Sequence, residues 1–322
     1  LGLGPMSKEV VNSYDNFSRK FNKKIMIICS RNQIETANLG GGYVNKFDTE
    51  KFAELIKLKK NKNLILCRDH SGPFKKDGLK KKINHEIDNC KKSLKADIVN
   101  DFKIIHIDTS ECKGAKYEIA HELINYCNQI AMEKKKKIFF EFGCEEHGVL
   151  TDFKQFKKDI NFFTKFKNKQ FIVCQTGSLV KSIFQVGQFD IDGVMKMKRM
   201  ASEHGICLKE HNCDYLNSEQ IKLRKKYGIS AINIAPEFGS IQTNLLFTIA
   251  KAQGLNKEIE DFMKLVLKKD KWKKWNYNNE NNFIKFLTSA HYYYNEKKYK
   301  IILNKISNKL NFQKHLNKII EK

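Results

Sequence analysis

Short runs of β-branched and apolar residues alternate along the chain with longer stretches in which apolar positions recur every three or four residues. The runs fall at 25–29, 64–68, 104–108, 138–142, 171–175, 206–210 and 231–235. The stretches between them, 48–60, 78–100, 116–134, 152–167, 190–204 and 218–227, carry helical periodicity. Asp48 ahead of Thr49, Glu50 and Lys51 is a helix start, as is Ser218 with Glu219 and Gln220, and Gly228 is a helix stop. Strand and helix in alternation mean a parallel sheet with crossovers. Strands at roughly 30–40-residue spacing predict an α/β protein of the (β/α)8 TIM-barrel type, with seven strands evident and the eighth unplaced. An open doubly wound sheet is disfavoured, because no glycine-rich dinucleotide fingerprint and no Walker loop occur. From about Leu255 the rhythm gives way to helices alone. The pattern therefore predicts a barrel over 6–254 and a helical extension over 255–322, which carries Trp272, Trp275 and the run His291-Tyr292-Tyr293-Tyr294. Residues 1–5, directly before Met6, read as an expression scar outside the fold.

With 322 residues, 41% of them hydrophobic and 30% charged, the chain can bury a large core and is not of disordered type. No apolar run approaches the ~20 residues of a membrane span, and the start lacks the shape of a signal peptide, so a cytoplasmic protein without a membrane partner is expected. The net charge of +24 points at first to nucleic acid. The lysines, however, are spread along the whole chain rather than gathered with arginine and aromatics into a patch, which argues against nucleic acid as a partner. Small anionic substrates are well served by such a field. The nine cysteines form no CxxC pair. Cys29, Cys67, Cys174 and Cys207 lie in strand runs and read as small buried hydrophobes.

In a barrel of this kind chemistry sits at the C-terminal ends of the strands. All seven predicted ends are polar: Ser30-Arg31-Asn32-Gln33 with Gly40-Gly41-Gly42 beyond, Asp69-His70, Asp108, Glu141 with Glu145, Glu146 and His147, Gln175-Thr176-Gly177-Ser178, Glu210-His211 with Asp214, and Asn233. That distribution favours an enzyme. His70, Glu141 and His211, with Asp108 beside them, form a candidate divalent-metal set; two imidazoles and a carboxylate suit Zn²⁺, Mn²⁺ or a similar ion and leave positions open. Alternation puts Ile104, His106 and Asp108 on one face, and Phe139 and Glu141 likewise. His106, one layer deeper, reads as a satisfied core histidine, and His85, His121, His204, His291 and His315 as ordinary helix or tail residues. The turns at Gly40–Gly42 and at 175–178 offer backbone N–H groups to a phosphate.

In their order, Asn32-Gln33, Gly41-Gly42-Tyr43, Asp69-His70-x-Gly72-Pro73, His106-x-Asp108-x-Ser110, Glu210-His211-x-x-Asp214-Tyr215 and Asn233-x-x-Pro236 resemble the non-catalytic (Z) subunit family of class II D-tagatose-1,6-bisphosphate aldolase. The resemblance covers about residues 8–310. It implies a barrel related to class II ketose-bisphosphate aldolases, a bound divalent metal (Zn, with Mn or Co as alternatives), His70 and His211 as ligands, and Asp69 as acid/base. The substrate site is expected to be lined by Asn32, Gln33, Gly41, Gly42, Gln175, Thr176, Gly177, Asp214 and Asn233. The chain departs from the family at 141–147, which leaves open which acidic residue there is the ligand; Glu141 is the first choice. Lys209 is a second departure, a lysine pointing into the barrel with His211.

The resulting expectation is carbohydrate metabolism: a metal-dependent enzyme, 4-epimerase (isomerase) or aldolase (lyase), cleaving C3–C4 of a phosphorylated ketose, with Asp69, Asp108 or Glu145 moving the proton. Asp69 has a second reading, as a cap on the loop that follows it. The alternative function is an accessory subunit stabilising a class II aldolase. The expected protein partner is then another copy of the chain or that aldolase subunit.

Overall fold

The computed structural model describes residues 1–78, 82–143, 148–276, 279–306 and 309–321. Among these residues the strands are β1 (Gly2–Leu3), β2 (Ile25–Ser30), β3 (Leu64–Ser71), β4 (Ile104–Ile107), β5 (Phe139–Phe142), β6 (Lys169–Val173), β7 (Val180–Lys181), β8 (Phe184–Gln185), β9 (Cys207–Glu210) and β10 (Ile229–Ile234). Eight of them close a parallel barrel in the order β1-β10-β9-β6-β5-β4-β3-β2, and β7 and β8 form a small antiparallel ribbon. The protein is an α/β TIM barrel with a helical C-terminal part.

The eighth strand is β1, within the five residues expected to lie outside the fold. Gly2 and Leu3 pair in parallel with Asn233 and Ile234 on one side and with Met26 and Ile27 on the other. Two residues are too few to show a hydrophobic period, so no pattern could reveal them. Glycine at position 2 leaves room for Asn233: a Cβ there would lie 2.2 Å from Asn233 Oδ1 and would push that side chain aside.

Six barrel helices match the periodic stretches: α2 (Thr49–Leu58), α3 (Ile83–Val99), α4 (Lys116–Glu133), α5 (Phe153–Phe163), α6 (Ile191–Ser202) and α7 (Ser218–Tyr227). They are joined by α1 (Lys8–Phe21) after β1 and α8 (Pro236–Ala252) after β10. Asp48 caps α2 by accepting the Lys51 N–H at 2.7 Å, and Asn217 rather than Ser218 caps α7, in a capping box with Gln220. The C-terminal part holds α9 (Asn256–Lys268), the 3₁₀ turn Lys271–Lys274, α10 (Asn282–Ser289), α11 (Lys297–Lys305) and α12 (Lys309–Ile320). It is stitched to the barrel through buried contacts. The Tyr294 hydroxyl meets Thr243 of α8 at 2.7 Å, Gln242 donates to the Tyr299 hydroxyl at 2.9 Å, and the Phe262 and Phe286 rings lie 5.6 Å apart.

The main core lies between barrel and helices. A second, smaller one fills the barrel interior with Met26, Ile28, Cys67, Ile104, Phe171 and Ala231. Above that apolar plug the inward side chains change character, and the polar layer there is the candidate site.

Candidate functional site

On ideal strands neighbouring residues face opposite ways, which would forbid joint use of Asp69 and His70. The chain solves this with a bulge inside β3. Arg68 pairs with Ile105 and Ser71 with Ile107, so Asp69 and His70 together oppose His106. His70 takes φ +45°, a conformation uncommon for a residue with a Cβ, and both side chains turn into the barrel. The loop beyond is clamped just as tightly. A Cβ on Gly72 would lie 1.8 Å from the Asp108 carbonyl oxygen, and Arg31 Nη1 donates to Gly72 O at 3.1 Å. Gly72→Ala is therefore expected to destabilise the protein by about 1–3 kcal/mol through overpacking against backbone. Thermal unfolding measures this, and a variant of unchanged stability would mean that the loop shifts freely.

Three imidazoles meet at the barrel mouth. Ring centroids of His70, His106 and His211 are separated by 5.0, 5.1 and 5.2 Å. Each ring engages an acceptor with one nitrogen: His70 Nδ1 with Asp108 Oδ2 at 2.8 Å, His106 Nε2 with Gly143 O at 2.8 Å and His211 Nε2 with Glu141 Oε1 at 2.6 Å. The other nitrogens face Asp69, at 3.7 Å (His70 Nε2), 3.6 Å (His106 Nδ1) and 4.0 Å (His211 Nδ1). Asp69, His70, His106 and His211 each offer one donor atom within 4.8 Å of the others. Three ring nitrogens with acceptors behind them, converging with a carboxylate, match what a divalent metal such as zinc requires of its ligands and of the groups that orient them. In this structure His106 Nδ1 accepts the His70 backbone N–H at 3.2 Å, a bond that uses the nitrogen's one lone pair and that an ion held by His106 would replace.

Charges follow this arrangement. Burial alone would raise the Asp69 carboxyl, but His70, His106 and His211 hold it well below the usual carboxylate range. Asp108, also buried, is held low by His70, His106 and Lys75. Burial of Glu141 is outweighed by Lys209, His106 and His211, which bring it to about 2. Lys209 lies in the floor, 1% exposed, with Nζ 2.5 Å from Glu141 Oε2. Burial opposes its charge, yet Glu141 and Asp69 raise it, so it is a fixed ammonium and not a nucleophilic amine.

The expected residues thus divide. Glu141, first choice as the carboxylate ligand, stands behind His211, with its oxygens taken by Lys209 and His211. Asp108, a candidate proton carrier, orients His70; its Oδ2 also meets Lys75 Nζ at 2.9 Å, and its Oδ1 accepts from Ser110 N and Oγ. Glu145 lies outside the described residues. The loop-cap reading of Asp69 finds no support in its hydrogen bonds: among the described residues no backbone amide donates to it, and Asn233 Nδ2 donates to it at 3.3 Å.

A cavity of about 710 Å³ rises from this floor, and Asn32, Gln33, Gly41, Gly42, Asp214 and Asn233 line it together with Asp69, His70, Asp108 and His211. Two expectations about phosphate change. The amides of Gly40, Gly41 and Gly42 already donate to the carbonyls of Ala37, Thr36 and Phe47, at 3.0, 3.2 and 3.1 Å. Gln175, Thr176 and Gly177 do not line the cavity. Thr176 and Ser178 instead hold buried Glu210, against Arg224 at 2.8 Å. Asp214 is structural as well: it caps α8 by accepting from Ala235 N and Glu237 N, both at 2.9 Å, and burial pushes its carboxyl up to about 7.

Sequence reasoning missed the share of His106 in the cluster, although alternation had already put it on the face of Asp108. It also took His291 for an ordinary residue of the tail. That side chain is 1% exposed, lines the cavity, and is driven down to about 3 by burial and by Lys274, so its ring is neutral.

No protein-family model matches this sequence, and no curated protein does. Solved structures of the same architecture include a probable tagatose 6 phosphate kinase from Sinorhizobium meliloti 1021, at 13% identity and a TM-score of 0.79 over 98% of this chain and 86% of that one. The YdjI aldolase from Escherichia coli K12 aligns at 13% identity and 0.52, over 96% and 92%. The fructose-bisphosphate aldolase of Campylobacter jejuni aligns at 14% and 0.58, over 99% and 87%. The likeness is one of fold. Among the described residues no helix is long and apolar enough to cross a membrane.

Proposed function

We propose that this chain is a class II aldolase-like, metal-dependent enzyme that acts on a ketose phosphate by retro-aldol chemistry at C3–C4, as a 4-epimerase or an aldolase. The observation that carries the reading is the convergence of His70, His106 and His211 on Asp69 at the floor of a cavity. His70, His106 and His211 would hold the ion, with zinc the best fit to three imidazoles. Bound there, a divalent ion supplies Lewis-acid polarisation of the ketose carbonyl and the neighbouring hydroxyl.

The chain's own residues do the rest. Asp69, ionised at neutral pH, accepts the proton of the C4 hydroxyl as the C3–C4 bond breaks. Asn233 steadies that carboxylate. Asp108 and Glu141 keep the rings of His70 and His211 in place, as the partners of ligating histidines do. Return of the aldehyde by its other face, with the proton handed back from Asp69 to the C4 oxygen, gives the 4-epimer; its release, with a proton delivered to C3 of the fragment left behind, gives aldolase products. The site supports both outcomes, because they share the first step. The tagatose- and aldolase-related names of the fold neighbours agree with this substrate class.

Elemental analysis of the purified protein should find one divalent ion per chain, and His70→Ala and His106→Ala should each lose it. The loaded protein should convert a phosphorylated ketose when a panel is screened. Full metal content in both variants would refute the ligand set, and a loaded protein inert toward every ketose phosphate would refute the reaction.

A further inference from the structure

His291 has no part in the imidazole cluster, yet it is 1% exposed and lines the same cavity. It stands in the 3₁₀ turn Ala290–Tyr293 of the C-terminal part, and that turn is anchored on two sides. The Tyr294 hydroxyl donates to Gly239 O of α8 at 3.1 Å, and Asn295 Nδ2 donates to Tyr43 O in the loop after β2. The ring is held between these anchors. Its centroid lies 4.1 Å from that of Tyr292 and 6.0 Å from that of Tyr43. On the α8 side a Cβ at position 239 would come within 2.8 Å of His291 Nδ1, so glycine there leaves room for the imidazole.

The surroundings fix the ring, but none of them bonds to it. Among the described residues neither ring nitrogen has a hydrogen-bond partner, and Nδ1 is sealed from solvent altogether. Burial, helped by Lys274, keeps the ring neutral, so it is not retained as a charge. A polar group buried without a partner costs free energy. An apolar side chain would pack among Tyr43, Tyr292 and Gly239 without that cost. A buried polar group left in this state needs a reason, and a ligand is one. Nδ1 cannot meet it. Nε2 is not sealed in the same way, and the cavity is what it faces. A neutral imidazole framed by two aromatic rings suits a hydroxyl group on a carbon chain, to which Nε2 donates or from which it accepts according to its tautomer.

We propose that His291 is a substrate-recognising residue, whose Nε2 forms a hydrogen bond with a hydroxyl group of the bound sugar phosphate while Tyr43 and Tyr292 frame that part of its carbon chain. The identity of the ligand rests on the ketose-phosphate reading. The C-terminal part is then a wall of the substrate site and not only a support for the barrel.

The probe is D-tagatose 1,6-bisphosphate, titrated calorimetrically into the full-length protein, with turnover of the same sugar followed on the same preparations. Wild type should bind it. His291→Phe keeps a ring beside Tyr292 but has no hydrogen-bonding group, and should weaken binding about tenfold, the loss of one neutral hydrogen bond. His291→Leu, free of any misfit of the larger ring, should weaken it as much. His291→Gln carries an amide that reaches about as far as Nε2 and both donates and accepts, so it should recover most of the affinity. Failure of wild type to bind, wild-type affinity in either apolar variant, or a His291→Gln protein as weak as His291→Phe would each overturn the assignment. Binding that depends on His291 in a protein that turns nothing over would uphold the contact while the retro-aldol reading fell. Turnover with binding indifferent to His291 would do the reverse.

Discussion

Replacing Glu141 by glutamine is expected to cost about 3–5 kcal/mol of stability, the penalty for removing one partner of a buried ion pair. Lys209 is 1% exposed and its Nζ lies 2.5 Å from Glu141 Oε2, beneath the imidazole layer and over the Phe171 ring at 5.6 Å. Without the carboxylate, that ammonium keeps its charge in a place where water cannot reach it, and a glutamine amide turned toward it adds repulsion. The same change leaves one amide oxygen for two donors, so His211 keeps only a neutral acceptor when the amide nitrogen faces Lys209, and loses its acceptor when the amide turns the other way. Urea unfolding gives the cost directly. The double variant Glu141→Gln/Lys209→Met should recover most of the loss, because an apolar chain replaces the stranded charge. It should not restore metal binding to the wild-type level, since the carboxylate behind His211 is still missing. A single variant within about 1 kcal/mol of wild type would show that Lys209 finds another partner and that the pair is not what holds the floor together.

Asp69→Asn is expected to lower kcat by ~10²–10⁴-fold while the protein stays folded and its three imidazoles still bind metal. The carboxylate is surrounded by His70, His106 and His211 at 3.6–4.0 Å and touched by Asn233 Nδ2. Asparagine has nearly the same shape but takes no proton. If Asp69 were a loop cap the result would differ: about 1 kcal/mol of stability lost and turnover nearly unchanged. The two outcomes are separated by measuring turnover, metal content and thermal unfolding on one preparation. A soluble, metal-loaded variant of near-wild-type turnover would remove Asp69 from the chemistry.

Much of this site is legible in the amino-acid sequence. Asp69, His70, Asp108, Glu141 and His211 do gather at one end of a barrel, because residues at the C-terminal ends of parallel strands must share a mouth once the sheet closes. Their division of labour is not legible there. Whether a carboxylate near two histidines is a ligand or stands behind one is decided by what else reaches its oxygens. For Glu141 that is Lys209, 68 residues away in the chain. For Asp108 it is His70 and Lys75, on the neighbouring strand and its loop. The glycine turn misled for a similar reason: three glycines advertise open amides, but the carbonyls of Ala37, Thr36 and Phe47 had already taken them.

By itself the sequence determined the architecture and the end of it that carries chemistry. Alternating apolar runs and helical stretches are local patterns, repeated often enough that one parallel, wound arrangement satisfies them all. Tertiary structure alone decided three things. It recruited Gly2–Leu3 as the closing strand, since a two-residue strand is specified only by the gap between β10 and β2 that it fills. It put a bulge at Asp69 and His70, so that adjacent residues share one face, because the register of β3 against β4 is set by both strands and not by either. And it brought Lys271, Lys274 and His291 of the C-terminal part over the barrel mouth. That placement follows from the packing of tail helices on α1 and α8, a contact between segments far apart in the chain, for which periodicity within one segment carries no information.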